Sequence, residues 1–205
     1  MEQKEVMSLN TSAISPKLIA GRLALDFANL IPEAHDLSWR EFVKFLVSSQ
    51  VVSEERGTRL EVLERSEPGA VDEVLLKILR LRECLRAVFS EVEKRKSFPK
   101  AWVAPINEIL RVTEGHDELV PQEGRWRLEF IGRESGLEWL LAAIARSAAE
   151  LVVEGQAAPV KRCANPECRL FFYDDSRTRQ RRWCSMAVCG NRHKVAAFLK
   201  RKGGR

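Results

Sequence analysis

Apolar residues recur at helical spacing through most of the first 158 residues of the chain. One stripe with steps of three and four predicts a long helix that begins near Val71. It consists of Val74, Ile78, Leu81, Leu85 and Val88. A second stripe predicts a helix that runs to about Val153, and it consists of Leu137, Leu140, Leu141, Ile144 and Ala148. Residues 1–158 are therefore expected to form a mainly helical body.

A capping signal marks the start of another helix in the body. Ser38 is followed three positions later by Glu41, and apolar residues begin at Phe42. In this pattern the hydroxyl accepts from the backbone N–H three residues on, and the carboxylate reaches back to the N–H of the serine. We expect a helix to begin directly after Ser38.

Between the two long helices the pattern changes to alternation. Apolar and polar residues alternate around residues 118–130, with a Gln-Glu-Gly turn in the middle. Alternation on both sides of such a turn is typical of a β-hairpin. We predict that Trp126, Leu128 and Phe130 share one face of it.

Residues 159–205 contain four of the five cysteines of the chain. Cys163 and Cys168 form one Cys-x4-Cys pair, and Cys184 and Cys189 form a second pair after fifteen further residues. Four thiolates at this spacing are the ligand set of a tetrahedral Zn²⁺ site without an open position. The alternative, four unrelated reduced cysteines, fits the spacing poorly. We predict one structural zinc ion.

The segments between and after the cysteine pairs predict a small finger. Residues 170–173 are typical of a strand, and Arg177 to Trp183 can return as a second one. A helix from Gly190 to about Lys202 would carry Val195, Phe198 and Leu199 on its apolar face. This is a treble-clef-like ββα arrangement, and it has so few apolar residues that the metal must help to fold it.

Charge is distributed unevenly between the two parts. From Lys161 onward there are thirteen Lys and Arg against three acids, whereas the preceding residues have 21 basic and 26 acidic side chains. A basic tail on an acidic body indicates a polyanionic partner, although a solvated basic surface is the alternative. An extended strand would project Arg177, Arg179 and Arg181 from one face toward successive phosphates. The other candidate nucleic-acid contacts are Arg182, Asn191, Arg192, Lys194, Lys200 and Arg201.

The residues 183–192 resemble the CGNR zinc finger, named for Cys189, Gly190, Asn191 and Arg192. The similarity extends back through Arg162–Cys168 and Ser176–Trp183. In that family the finger follows a helical ABATE domain, which often begins with a segment like Gly21–Asn29. The resemblance implies a stress-linked transcription regulator with residues 1–158 as the ABATE-like domain, residues 159–205 as the finger, and DNA as the finger's partner.

The body itself offers few candidate functional residues. Asp26 and Asn29 interrupt an apolar run, so they either hydrogen-bond to nearby backbone or line an effector pocket. No nucleophile, phosphate-binding or dinucleotide motif occurs, and an enzyme is not expected. The chain shows neither a secretory signal nor a membrane-spanning run, which favours the cytoplasm.

Three hypotheses follow from the sequence. The leading one is a DNA-binding transcription regulator whose body senses a small-molecule effector or forms a homodimer. The second is a protein-interaction module whose finger buries Leu170, Phe172 and Trp183 against the body. The third is an RNA-binding protein in which Phe171 or Tyr173 stacks on bases.

Overall fold

Most of the chain is helical, as the apolar spacing predicts. The computed structural model describes residues 18–30, 37–96, 100–122, 125–132 and 136–203. Within these ranges the helices are α1 (Leu23–Ala28), α2 (Trp39–Ser48), α3 (Glu54–Ser66), α4 (Pro68–Glu93), α5 (Ala104–Val112), α6 (Ala142–Glu154) and α7 (Asn191–Gly203). The strands are β1 (Gly115–Gln122), β2 (Arg125–Gly132), β3 (Val160–Arg162) and β4 (Phe171–Tyr173). They form two antiparallel pairs, β1 with β2 and β3 with β4.

Helix α2 begins where the capping signal predicts. The Ser38 hydroxyl accepts from the Glu41 backbone N–H at 3.3 Å, and the Ser38 N–H donates to the Glu41 carboxylate at 3.0 Å. Two of the otherwise unpaired donors at the helix start are thereby satisfied. The predicted capping box is confirmed, and it directs Phe42 into the core.

The long helix α4 starts at Pro68, slightly before the predicted position. Proline suits the first turn because that turn has no partner for its N–H groups. All five residues of the predicted stripe are buried, which is why this helix forms one wall of the body core. None of the helices in the described ranges combines the length and the apolar composition needed to cross a membrane.

The short helix α1 lies at the centre of the body. It packs against α4, α6 and strand β4, and four of its six residues are buried. Phe27 contacts two rings of α2, with centroid distances of 6.0 Å to Phe42 and 5.8 Å to Phe45. From α6, the Ser147 hydroxyl accepts the Ala24 N–H at 3.2 Å. Helix α1 therefore connects the helical body to the finger.

The predicted β-hairpin is present as β1 and β2. Its register pairs Leu119 with Leu128 and Pro121 with Trp126, which places these four residues on one face. The turn residues 123–124 lie outside the described part of the chain. Leu119 and Trp126 are exposed, so the hairpin projects from the body.

The predicted strand pairing of the finger is wrong in one respect. Strand β4 forms, but residues 177–183 are turn and irregular backbone, and the partner of β4 is β3, which precedes Cys163. Arg179 has a φ of 49°, a left-handed conformation that an extended strand does not contain. The alternation of arginines in this segment therefore does not reflect strand geometry.

Strand β4 contributes to two cores at once. Phe171 joins the body core and packs edge-on against Phe89 of α4, with 6.3 Å between ring centroids. The next residue, Phe172, points the other way and packs among the finger cysteines. Because successive side chains of a strand point to opposite sides, one short strand fixes the finger to the body.

Candidate zinc centre and its basic surroundings

The four predicted ligands come from two turns of the finger. Cys163 and Cys168 bracket the turn between β3 and β4. Cys184 and Cys189 bracket a second turn, whose π-helical segment Met186–Gly190 leads into α7. The four sulfur atoms lie within 4.8 Å of one another.

The spacing of the sulfur atoms fits zinc. The Sγ–Sγ distance is 3.5 Å between Cys168 and Cys184, and 3.7 Å between Cys184 and Cys189. Four thiolates at the usual Zn–S distance of about 2.3 Å form a tetrahedron with edges of about 3.8 Å. All four corners are sulfur, so the cluster is a structural zinc site that leaves no corner for a catalytic water.

Polar N–H groups surround the sulfur atoms. The backbone N–H of Cys184 donates to Cys163 Sγ at 3.5 Å, and the Asn165 side-chain amide donates to Cys189 Sγ at 3.7 Å. Such donors orient the ligands and stabilise the negative charge of a metal-bound thiolate. The two N–H donors therefore fit turns that bind zinc.

Proton affinity differs between Cys163, Cys168 and Cys184. Burial raises the pKa of Cys168 to about 11 and also raises the pKa of Cys184. Burial acts in the same direction on Cys163, but the backbone N–H groups of Cys184 and Asn165 outweigh it and lower the pKa of Cys163. Zinc must therefore displace firmly held protons from Cys168 and Cys184, so zinc binding releases protons.

A small apolar cluster encloses the cysteines. Phe172 is fully buried at its centre, and the surrounding side chains are Ile19, Leu170, Trp183 and Val188. The interaction-module hypothesis placed Leu170, Phe172 and Trp183 against the body, whereas they pack around the zinc ligands, in a cluster to which the body contributes Ile19. So few apolar side chains cannot fold a module alone, and the metal has to supply the remaining stability.

Gly190 lets the second turn pack tightly before α7. A Cβ at this position would lie 2.8 Å from the Met186 sulfur and 3.4 Å from Cδ1 of Trp183. The first distance is shorter than van der Waals contact allows, so a side chain here would push Met186 away. The indole of Trp183 also contacts the His193 ring of α7, with 4.8 Å between the ring centroids.

The buried carboxylate of Asp174 organises the loop after β4. One of its oxygens accepts from Lys161 Nζ at 2.6 Å and from the Arg181 backbone N–H at 3.0 Å. The other oxygen accepts from the backbone N–H and the hydroxyl of Ser176. Burial by itself raises the pKa of Asp174, but Lys161 and Ser176 outweigh it and hold the pKa at about 2.

Arg181 is a structural residue of the finger. Its guanidinium donates to the carbonyl oxygens of Trp183, at 2.9 Å, and of Cys184. It also lies over the Phe172 ring, 4.8 Å from the centroid. The predicted row of three outward arginines is therefore wrong, because the turn at Arg179 directs Arg181 toward the zinc ligands.

The other candidate cations of the finger are on its surface. Arg177, Arg179 and Arg182 are exposed on the loop after β4. On α7, the exposed candidate residues are Asn191, Arg192, Lys194 and Arg201, and the same helix contains Lys200. Asn191 uses its side-chain amide to donate to the Ala187 carbonyl at 3.2 Å, so part of its hydrogen-bonding capacity serves the turn before α7.

Asp26 and Asn29 both bond to backbone groups. One Asp26 oxygen accepts the N–H groups of Ile19 and Ala20, each at 2.9 Å, and burial raises its pKa to about 6. The Asn29 amide donates to the Phe171 carbonyl at 2.7 Å and accepts the Phe171 N–H at 2.9 Å. These contacts match the first of the two interpretations given above, and Asn29 clamps β4 to the body.

Comparison with known proteins supports the division into a helical domain and a finger. The family model of the CGNR zinc finger matches residues 160–202. The model of the ABATE family, described as "Putative stress-induced transcription regulator", matches residues 21–155, more than half of the chain. A search of curated proteins finds no match. The chain belongs to the ABATE family, and a CGNR zinc finger follows its helical domain.

Proposed function

We propose that this protein is a DNA-binding transcription regulator whose zinc centre holds a basic surface in place. The observation that carries the proposal is the grouping of exposed cations on two neighbouring parts of the finger, the loop after β4 and helix α7. Helix α7 contains no acidic residue. A polyanion such as DNA is the partner that this charge pattern favours.

Trp183 connects the two basic parts. Its ring stacks on His193 of α7, and the Arg182 guanidinium lies 5.3 Å from its centroid. Trp183 directly precedes the zinc ligand Cys184. The metal site thus fixes the loop cations relative to the helix cations, and we assign zinc this positioning role and no catalytic one.

Salt dependence is the measurement that tests the proposal. Of the candidate cations, six have a side chain that the structure describes as exposed, and they are Arg177, Arg179, Arg182, Arg192, Lys194 and Arg201. If each neutralises one phosphate, the logarithm of the affinity for duplex DNA should fall against the logarithm of salt concentration with a slope of roughly −5. Fluorescence anisotropy of a labelled duplex measures this slope.

A charge-matched pair of variants identifies the surface. In one variant Arg177, Arg179 and Arg182 are changed to Gln, and in the control the exposed body arginines Arg40, Arg65 and Arg80 are changed to Gln. Both lose the same charge, but the finger variant should lose about three units of slope and the control almost none. Equal losses in the two variants, or a slope near zero in the parent, would refute the proposal.

The RNA-binding hypothesis finds less support at the residues on which it depends. Phe171 is buried in the body core and offers no ring to a base. Tyr173 donates its hydroxyl proton to Glu154 at 2.9 Å, and the Arg22 guanidinium covers its ring at 3.9 Å. Neither aromatic residue is a stacking platform for a base, and RNA binding is therefore not proposed as a second function.

A further inference from the structure

Helix α7 turns its apolar stripe away from the finger. It contacts Trp183 through His193, with 4.8 Å between the ring centroids, and among residues 191–199 only Ala197 is half-buried while the others are exposed. At about 100° per residue these two positions lie on one side of the helix. Val195, Phe198 and Leu199 lie roughly opposite and are 58%, 50% and 61% exposed.

Val195, Phe198 and Leu199 form the apolar face that the sequence predicts for this helix, and that face is exposed. The aromatic stack between Trp183 and His193 determines which side of the helix faces inward. Three large apolar side chains at positions i, i+3 and i+4 are consequently presented together to solvent. A contiguous exposed stripe of this kind is typical of a binding surface.

Cations flank the stripe on both sides. By helical geometry Arg192 lies about 70° to one side of its centre, and Lys194 and Arg201 lie about 90–110° to the other side. Lys202 sits next to the stripe itself, with its Nζ 5.1 Å from the Phe198 ring centroid. No acidic residue occurs on the helix. An apolar centre between two cationic edges fits a partner that is apolar in the middle and anionic on both sides.

The major groove of DNA has this arrangement. It is about 12 Å wide, admits an α-helix, and is bordered by the phosphates of both strands. Its floor exposes one apolar group, the C5 methyl of thymine. An acidic protein groove would also match the apolar stripe, but the cations on both edges favour the two anionic borders of a nucleic-acid groove.

We infer that α7 lies in the major groove of DNA with Val195, Phe198 and Leu199 against thymine methyl groups. The inference rests on the proposed function and adds to it the element that enters the groove and the base it prefers. The edge residues Arg192, Lys194 and Arg201 then face phosphates of opposite strands.

The test compares two duplexes that differ only in the methyl group. One alternates adenine with thymine, and the other replaces every thymine by uracil. Burying one methyl stabilises a contact by about 0.8 kcal/mol, so the full-length zinc-loaded protein should bind the thymine duplex roughly four-fold more tightly for each methyl contacted. Competition anisotropy gives the ratio of the two affinities.

The variant for this test changes Val195, Phe198 and Leu199 to Ala. Alanine is the best helix former, so α7 is retained while the stripe is lost. The affinity ratio should fall to about one, whereas binding to the uracil duplex should keep its salt slope. Leu76→Ala, at another exposed apolar position on a helix, is the matched control and should leave the ratio unchanged.

Four results would overturn the inference, and they differ in what they say about the proposed function. Tight binding without a thymine preference, or a preference that survives in the triple variant, removes the groove contact but leaves DNA binding intact. Sedimentation showing that the triple variant splits a dimer without changing the affinity ratio assigns the stripe to a second copy of the chain. Absence of binding to both duplexes overturns the inference and the proposed function together.

Discussion

The substitution Asp174→Asn tests whether one buried carboxylate shapes the basic loop. The pKa of Asp174 is lowered from 3.8 to about 2, which corresponds to a stabilisation of about 2 kcal/mol by the ionised form. Because the pKa is lowered, this stabilisation is complete above pH 4 or so and disappears only as the pH falls through about 2. At neutral pH, Asn removes it in full and also presents an amide donor to the Lys161 ammonium. We expect the free energy of unfolding to fall by about 2–4 kcal/mol.

Urea unfolding of the zinc-loaded protein at neutral pH, followed by tryptophan fluorescence, measures this loss. Asp175→Asn is the matched control, since Asp175 is the next residue but its side chain is 75% exposed and lies 3.8 Å from Arg181. An exposed carboxylate at this distance from a guanidinium contributes little, and the control should stay within about 0.5 kcal/mol of the parent. If Asp174→Asn is as mild as the control while zinc content is unchanged, the carboxylate does not organise the loop.

Two further predictions concern the junction between body and finger. Asn29→Ala removes both hydrogen bonds to Phe171 and leaves a partly buried backbone N–H and C=O without these partners. Urea unfolding should show that the free energy of unfolding falls by about 1–3 kcal/mol. An unchanged free energy would contradict the role of Asn29 in holding β4 to the body. Asp26→Asn keeps the oxygen that accepts from Ile19 and Ala20 but removes a carboxylate whose pKa burial raises to about 6. Because the pKa is raised, Asp26 stabilises the fold at low pH, and this stabilisation is lost as the pH rises through 6. Between about pH 5 and pH 8 the free energy of unfolding of the parent should therefore fall by about 1 kcal/mol relative to that of the variant. Parallel stability curves for parent and variant would contradict that assignment.

The helices of the body could be predicted because their signals are local. The capping box at Ser38 and Glu41 and the stripe along α4 depend on residues within a few positions of each other. The zinc ligands could be predicted for a related reason, since the spacing within each cysteine pair is set by one tight turn. In these cases the residues that are in contact are also close together in the sequence.

The errors come from contacts between distant residues. Alternating arginines suggested a strand after β4, but Asp174 gathers backbone N–H groups from both ends of that loop and curls it. Periodicity places Val195, Phe198 and Leu199 on one stripe of α7 but carries no information on which side of the helix packs against the finger. The partner of Asn29 lies 142 positions away, and no spacing rule connects a single amide at the end of α1 with the backbone of β4.

The alternation of Phe171 and Phe172 on β4 also bears on how the chain can be divided. A cut at the linker after residue 158 would follow the sequence boundary, yet it would remove the ring that packs against Phe89 and leave a hole in the helical body. A finger produced alone would expose the same ring to water. Each half would therefore expose apolar surface that the Phe171 ring covers in the whole chain, and we expect each half to be less soluble than the whole chain.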